Sequence, residues 1–218
     1  MRKVSLLAAA TALFSVTPAT AAVIIDFQNV ATNDNVLFAS STAVAALTLV
    51  AQTNNSNVDV TFANALGLLA NASGQSSTTN GADGLRGTTS VTIDPAFTFA
   101  AAQFNIPGVP GNPPPVEATS VFVEALGLGG AVIGTATLGL DDGGENRIRI
   151  VGNAGEIFSG FRITLNPTGG NVSALTQVRL GGVAAVVPEP SSWALMIGGL
   201  GLMGTAMRRR FKPAVTFA

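Results

Sequence analysis

Residues 146–151 read NRIRIV, so polar and apolar side chains alternate at every second position. Because successive side chains of a β-strand point to opposite faces, this stretch predicts a strand with one buried face and one wet face. The same period occurs in residues 160–165 (GFRITL) and in residues 119–126 (TSVFVEAL). Strands that each have a single apolar face need a second layer to cover that face.

Similar short runs recur on both sides of these three, separated by Gly, Asn, Asp and Pro. We predict an all-β fold: an antiparallel β-sandwich or jelly-roll-like body with an N-terminal signal helix and a C-terminal single transmembrane helix. Residues 141–146 (DDGGEN) are predicted to be the hairpin connection between two strands. Residues 64–72 fit either a short helix or a strand. The predicted strands are residues 23–28, 47–51, 58–63, 90–94, 96–104, 119–126, 131–140, 146–151, 160–165 and 175–181.

The N-terminus has the parts of a secretory signal peptide. Two basic residues precede an apolar stretch at residues 4–16, and Ala19 and Ala21 are the small residues that signal peptidase requires. We expect cleavage after Ala21, which makes residues 1–21 the signal peptide and residues 22–186 the body. The alternative is an N-terminal membrane anchor.

The C-terminus, residues 187–212, has the features of a second targeting signal. A Pro-Glu-Pro element is followed by an uncharged apolar run at residues 193–207 and a basic plug at residues 208–212. At ~1.5 Å per residue the run is about 23 Å long, shorter than the ~30 Å hydrocarbon core. A tryptophan at its start and arginines at its end predict a transmembrane helix with the body outside. The alternative is a buried core helix.

The motif residues of this segment resemble the PEP-CTERM sorting signal in its PEPxxWA variety. They are Pro188, Glu189, Pro190, Trp193, Ala194, Arg208, Arg209 and Arg210. The resemblance implies that an exosortase cuts the chain near the Pro-Glu-Pro element, after an inner-membrane intermediate. The product would pass to the cell surface or the exopolysaccharide matrix of a Gram-negative bacterium. The processing partners are therefore signal peptidase and exosortase, and contact with the membrane is transient. The resemblance implies nothing about the body.

The body is acidic and lacks several reactive residue types. It holds five arginines and eleven carboxylates, a formal charge of −6, which argues against a nucleic-acid partner. The chain has no His and no Cys, and its only lysines are Lys3 and Lys212. Triads, Cys-His dyads, the usual zinc and copper sites, Schiff-base lysines and P-loops are thereby excluded. A carboxylate pair or a hard-cation site remains chemically possible, but we expect no cofactor, no metal and no catalytic residue.

Four of the five body arginines fall at predicted outward positions of strands: Arg147, Arg149, Arg162 and Arg179. A shared sheet face would suit an anionic polysaccharide, because a guanidinium binds carboxylate or sulfate in a bidentate way. The alternative is an ordinary charged face that prevents edge pairing. The absence of Trp and Tyr from the body disfavours a neutral-sugar site with an aromatic platform.

The combined features predict an exported cell-surface or extracellular-matrix protein whose body is a non-enzymatic structural or adhesion component. One alternative is a carbohydrate-binding module for acidic exopolysaccharide. A second alternative is a carboxylate-based glycoside hydrolase that uses Glu124 with Glu145 or Glu156.

Overall fold

The computed structural model describes residues 23–38, 42–70, 77–79, 84–108, 117–141, 144–167, 170–186 and 190–210. In these ranges the chain forms sixteen strands, a 3-10 turn at Leu128–Gly130 and one helix, α1 (Pro190–Arg210). The predicted signal helix, with Ala19 and Ala21, lies outside them. The strands are β1 (Val23–Asp26), β2 (Asp34–Leu37), β3 (Thr42–Thr53), β4 (Asp59–Ala70), β5 (Ser77–Thr79), β6 (Leu85–Arg86), β7 (Thr88–Ile93), β8 (Phe97–Thr98), β9 (Ala101–Pro107), β10 (Ser120–Leu126), β11 (Val132–Gly139), β12 (Glu145–Gly152), β13 (Gly160–Asn166), β14 (Asn171–Val172), β15 (Leu175–Gly181) and β16 (Ala184–Ala185).

Twelve of the described strands form one antiparallel sheet, which confirms the all-β prediction. The order is β1-β12-β9-β15-β2-β3-β4-β7-β13-β10-β11, and β5 pairs with β15 and β4. Two short pairs, β14 with β6 and β16 with β8, lie beside this sheet. The ambiguous residues 64–72 are a strand as far as Ala70, since β4 continues through them.

The sheet is rolled so that its two end strands meet, and it is therefore barrel-like rather than a sandwich of two separate sheets. Val23 of β1 lies against Gly134 of β11: a Cβ placed on Gly134 would be 2.6 Å from the Cβ of Val23. Across the interior, Phe104 of β9 stacks on Phe161 of β13 with ring centroids 4.6 Å apart. We name the two facing halves the β9 layer (β1, β12, β9, β15, β2) and the β13 layer (β3, β4, β7, β13, β10, β11).

Residues that alternate between apolar and polar in the sequence alternate between core and surface in the structure. Ile148 and Ile150 of β12 are fully buried, as are Val121 and Val123 of β10, while their sequence neighbours are at least partly exposed. Each layer thus contributes one apolar face to a shared core, and residues between the core positions point outward.

Residues 141–146 are not a hairpin, contrary to the prediction. They join β11 to β12, but β11 pairs with β10, whereas β12 pairs with β9 and β1. The side chain of Asn146 directs this connection: its Nδ2 donates to Ile106 O (3.0 Å) and its Oδ1 accepts from Asp141 N (2.8 Å). The turn chemistry indicated a chain reversal correctly, but it carries no information about which strand the chain joins next.

A crossing segment, residues 27–33, runs over the outer face of the β9 layer. β1 lies beside β12 and β2 lies beside β15, so their connection must pass over β12, β9 and β15. It is fixed there by a hydrogen bond from Val30 N to Gln103 Oε1 (3.1 Å). Gln103 is consequently only 5% exposed although it points away from the core.

The predicted transmembrane helix is not supported. No helix in the described part of the chain is long and apolar enough to cross a membrane. α1 has 21 residues, but its uncharged apolar portion is residues 193–207, which four glycines interrupt.

Candidate functional site

The predicted arginine face is divided between the two layers. Arg147 and Arg149 of β12 and Arg179 of β15 point outward from the β9 layer, since they alternate with core residues. Arg149 and Arg179 both lie opposite Gln103 of β9. Arg162 of β13 points outward from the opposite layer. The structure thus brings three of the four arginines onto one face.

Arg149 is held by a bidentate ion pair with Asp26. Its Nε and Nη2 lie 2.6 Å and 2.9 Å from the two Asp26 carboxylate oxygens. These hydrogen bonds raise the pKa of the Arg149 guanidinium. Because Asp26 belongs to β1, the pair anchors the first strand to β12 and leaves Arg149 less able to bind an external anion.

Arg147 and Arg179 are more available than Arg149 to bind an external anion. Arg147 donates to Asn29 Oδ1 (3.2 Å) in the crossing segment and to Glu145 (3.1 Å). The Arg147 and Glu145 side chains are 38% and 59% exposed, so this surface ion pair is weak. Among the residues that the structure describes, Arg179 has no ion-pair partner. Arg147, which contacts the crossing segment, and Arg179, which lies opposite Gln103, therefore keep free hydrogen-bonding capacity.

Of the carboxylates named for a hydrolase, Glu124 and Glu145 lie on different layers. Glu124 of β10 accepts from Arg162 at 3.1 Å, and Glu145 of β12 accepts from Arg147, on strands that are not neighbours and belong to different layers. Glu156 accepts from Ala154 N in the loop after β12. In the described ranges no group of three or more acidic residues is arranged to hold a metal ion.

The C-terminal segment begins where the folded body ends. Val186, after β16, donates its N–H to Ala96 O (2.8 Å). Pro188 and Glu189 lie outside the described residues. Pro190 opens α1, and the helix also contains the motif positions at residues 193–194 and 208–210. Large apolar side chains in the middle of α1, including Leu195 at 78% and Leu202 at 74%, are mostly exposed.

A Pro-Glu-Pro element thus lies in the chain between the end of the β-body and an apolar helix that ends in arginines. This order coincides with a known family model. The PEP-CTERM protein-sorting motif matches residues 186–210. The chain carries a PEP-CTERM sorting motif. The resemblance inferred from the sequence is thereby confirmed for this segment.

The PEP-CTERM motif indicates an exported protein that an exosortase processes and sorts to the surface. It overlaps the β-body only at residue 186, where the body ends. No curated protein and no solved structure matches the chain significantly. The function of the body therefore has to be argued from its own surfaces.

Sequence reasoning missed Asp26 and Gln103, which shape the arginine face. Asp26 ends a four-residue strand, too short to show which side chain faces Arg149. Gln103 sits in the run AAQFNI, whose six residues are all buried. A polar residue within such a run is a signal that something covers the outer face, here the crossing segment.

Proposed function

We propose that an exosortase delivers this chain to the cell surface or extracellular matrix, where the β-body serves as a non-enzymatic structural or adhesion component. The observation that carries the proposal is the position of the motif relative to the fold. Val186 is still hydrogen-bonded to the body, and the Pro-Glu-Pro element starts two residues later. A cut near that element removes α1 and leaves all sixteen described strands in place.

The distribution of carboxylates favours this role over hydrolysis. A glycosidase needs two carboxyl groups on either side of one scissile bond, ~5–10 Å apart. Glu124 and Glu145 belong to separate ion pairs on different layers. Polysaccharide hydrolysis that disappears in a Glu124→Gln variant would overturn the non-enzymatic proposal.

Sorting is tested by changing residues 188–190 to three alanines. The expected result is a chain of higher mass that is retained in the cell and absent from the surface, as measured by intact-mass spectrometry of both fractions. The matched control is a triple alanine variant of residues 113–115, another proline-rich stretch, which is expected to be processed normally. Normal processing of the 188–190 variant would rule out exosortase recognition of this element.

A second candidate is binding of acidic exopolysaccharide on the outer face of the β9 layer. It is favoured by the common face of Arg147, Arg149 and Arg179 and by the incomplete pairing of two of them. An Arg147→Ser, Arg179→Ser double variant is expected to lose retention on alginate, whereas Arg162→Ser on the other layer keeps it. Arg149 is left intact in this test because it anchors β1. Equal retention of the double variant and the native chain would reject this candidate.

A further inference from the structure

The outer face of the β13 layer carries a row of side chains that crosses six neighbouring strands and is polar at all but one position. Directly opposed residues on antiparallel strands point to the same side of the sheet. Because Phe161 and Val123 point into the core, the residues that alternate with them form the outer face. With ~4.8 Å between strands the row is about 24 Å long, enough for several sugar units. Its members, in register from β3 to β11, are Thr48, Ala63, Ser90, Arg162, Glu124 and Thr135.

Two open depressions lie on this face. One, of about 420 Å³, includes Thr48, Ser90 and Arg162 in its lining. The other, of about 520 Å³, is lined by the hydroxyl residues Thr61, Thr92 and Ser159 together with apolar residues such as Val50 and Leu128. Because serine, threonine and alanine side chains are short, the strands leave room above them while still presenting hydroxyl groups. This face can therefore accommodate an extended polyhydroxylated chain.

The centre of the row is the ion pair between Arg162 and Glu124. Arg162 Nη1 donates to Glu124 Oε2 at 3.1 Å, and the side chains are 39% and 15% exposed. A guanidinium has five N–H donors and a carboxylate has several acceptor positions, so one hydrogen bond between them leaves both with capacity. The pair presents donors beside acceptors, which is the pattern that neighbouring sugar hydroxyl groups require.

An exposed aromatic ring lies next to this pair. Phe122 of β10 is 37% exposed and lies opposite Thr164 on one side and Thr137 on the other. Thr164 in turn shares a 3.0 Å hydrogen bond with Thr88. An apolar ring with hydroxyl groups around it is a surface on which the C–H face of a pyranose can pack. Phe122 therefore provides an aromatic ring for sugar packing on this face, although the body has no Trp and no Tyr.

We propose that the outer face of the β13 layer binds a neutral polysaccharide, with Arg162 and Glu124 hydrogen-bonded to its hydroxyl groups and Phe122 packed against a sugar ring. The charge on this face favours a neutral chain over an acidic one. Asp59 and Asp94 line the larger depression, and Glu124 balances the charge of the only cation of the row, Arg162. An acidic polymer would be repelled by these carboxylates. This site depends on the proposed function in one respect: the chain has to reach the cell surface or matrix to meet the polysaccharide.

Affinity electrophoresis of the purified full-length chain tests the site. The gels contain hydroxyethyl cellulose, dextran or galactomannan as neutral polymers and alginate as the acidic one. At least one neutral polymer is expected to retard the chain. Phe122→Ala and Arg162→Ser are each expected to weaken that retardation about tenfold, as central contacts of an interface do. Thr88→Gln, which adds bulk to the smaller depression, is expected to weaken it without removing a charged or aromatic group.

Two matched variants away from this face serve as controls, one in the crossing segment and one in the β9 layer. Phe27→Ala removes a ring that is 44% exposed, and Arg147→Ser breaks an ion pair of the same 3.1 Å length in which the arginine is 38% exposed. Both should bind neutral polymers like the native chain. Retardation by alginate alone, by no neutral polymer, or equally in all variants would overturn the site. Because the assay uses purified chain, such a failure leaves exosortase sorting unaffected.

Discussion

At the scale of single residues, Asp34 is the most informative buried charge. It is 2% exposed and accepts hydrogen bonds from Asn55 N (2.8 Å), Ser56 N (3.1 Å) and the Ser56 hydroxyl. These donors belong to the turn between β3 and β4, so one carboxylate at the start of β2 fixes the turn of the longest strand pair. A buried carboxylate is tolerated here because backbone donors replace its hydration.

Replacing Asp34 with alanine is expected to lower the free energy of unfolding by about 2–3 kcal/mol, because the buried donors of the turn lose their charged acceptor. Urea denaturation followed by circular dichroism measures the change. The control is Asp59→Ala, which removes an exposed carboxylate with a 3.2 Å bond from Gln52 and should cost no more than about 0.5 kcal/mol. Similar losses in both variants would contradict the role assigned to Asp34.

Phe104 tests the contact between the two layers. Its ring is fully buried and stacks on Phe161 at 4.6 Å, so Phe104→Ala is expected to cost about 3–5 kcal/mol. Phe27→Ala, at 44% exposure, should cost about 0.5 kcal/mol or less. Thermal unfolding of both variants makes the comparison, and a small shift for Phe104→Ala would mean that the layers do not depend on this stack.

At the scale of elements, the sequence located most accurately the strands that show a clear period of two. β10, β12 and β13 were placed within one or two residues, because each has three or more alternating core positions. β2 was missed since its four residues begin with Asp34 and Asn35, which are poor strand formers. The partner of β12 was also unpredictable, because pairing depends on the whole sheet and not on the turn at residues 141–146.

The seam between β1 and β11 depends on a glycine. Gly134→Ala would place a Cβ 2.6 Å from the Cβ of Val23, so the two end strands have to separate. We expect a loss of about 1–3 kcal/mol and faster amide hydrogen exchange in β1. In the same strand, Gly139→Ala meets no atom within 4 Å and should leave exchange in β1 unchanged. Unchanged exchange in both variants would show that β1 is held by β12 alone.

At the scale of the whole molecule, the sorting segment and the body differ in how far sequence determines them. The PEP-CTERM motif is local: its proline, tryptophan and arginine positions all lie within residues 188–210, and the family model matches the same segment. The rolled sheet is non-local, because β12 inserts between β1 and β9 and the crossing segment then covers Gln103. The division of the arginines between two faces follows from that strand order, which no local pattern encodes.

A final prediction follows from the independence of the β-body and the C-terminal sorting segment. A chain that begins at Ala22 and stops after Val187 keeps β16 and the Val186–Ala96 hydrogen bond, so its free energy of unfolding should lie within about 0.5 kcal/mol of the value for the chain that also retains α1. A stop after Val183 removes β16, which pairs with β8, and should cost at least about 1 kcal/mol. Denaturant titrations of the three chains measure these differences in the free energy of unfolding. If the longer truncation is as unstable as the shorter one, α1 contributes to the fold, and processing at the Pro-Glu-Pro element could not release an intact body.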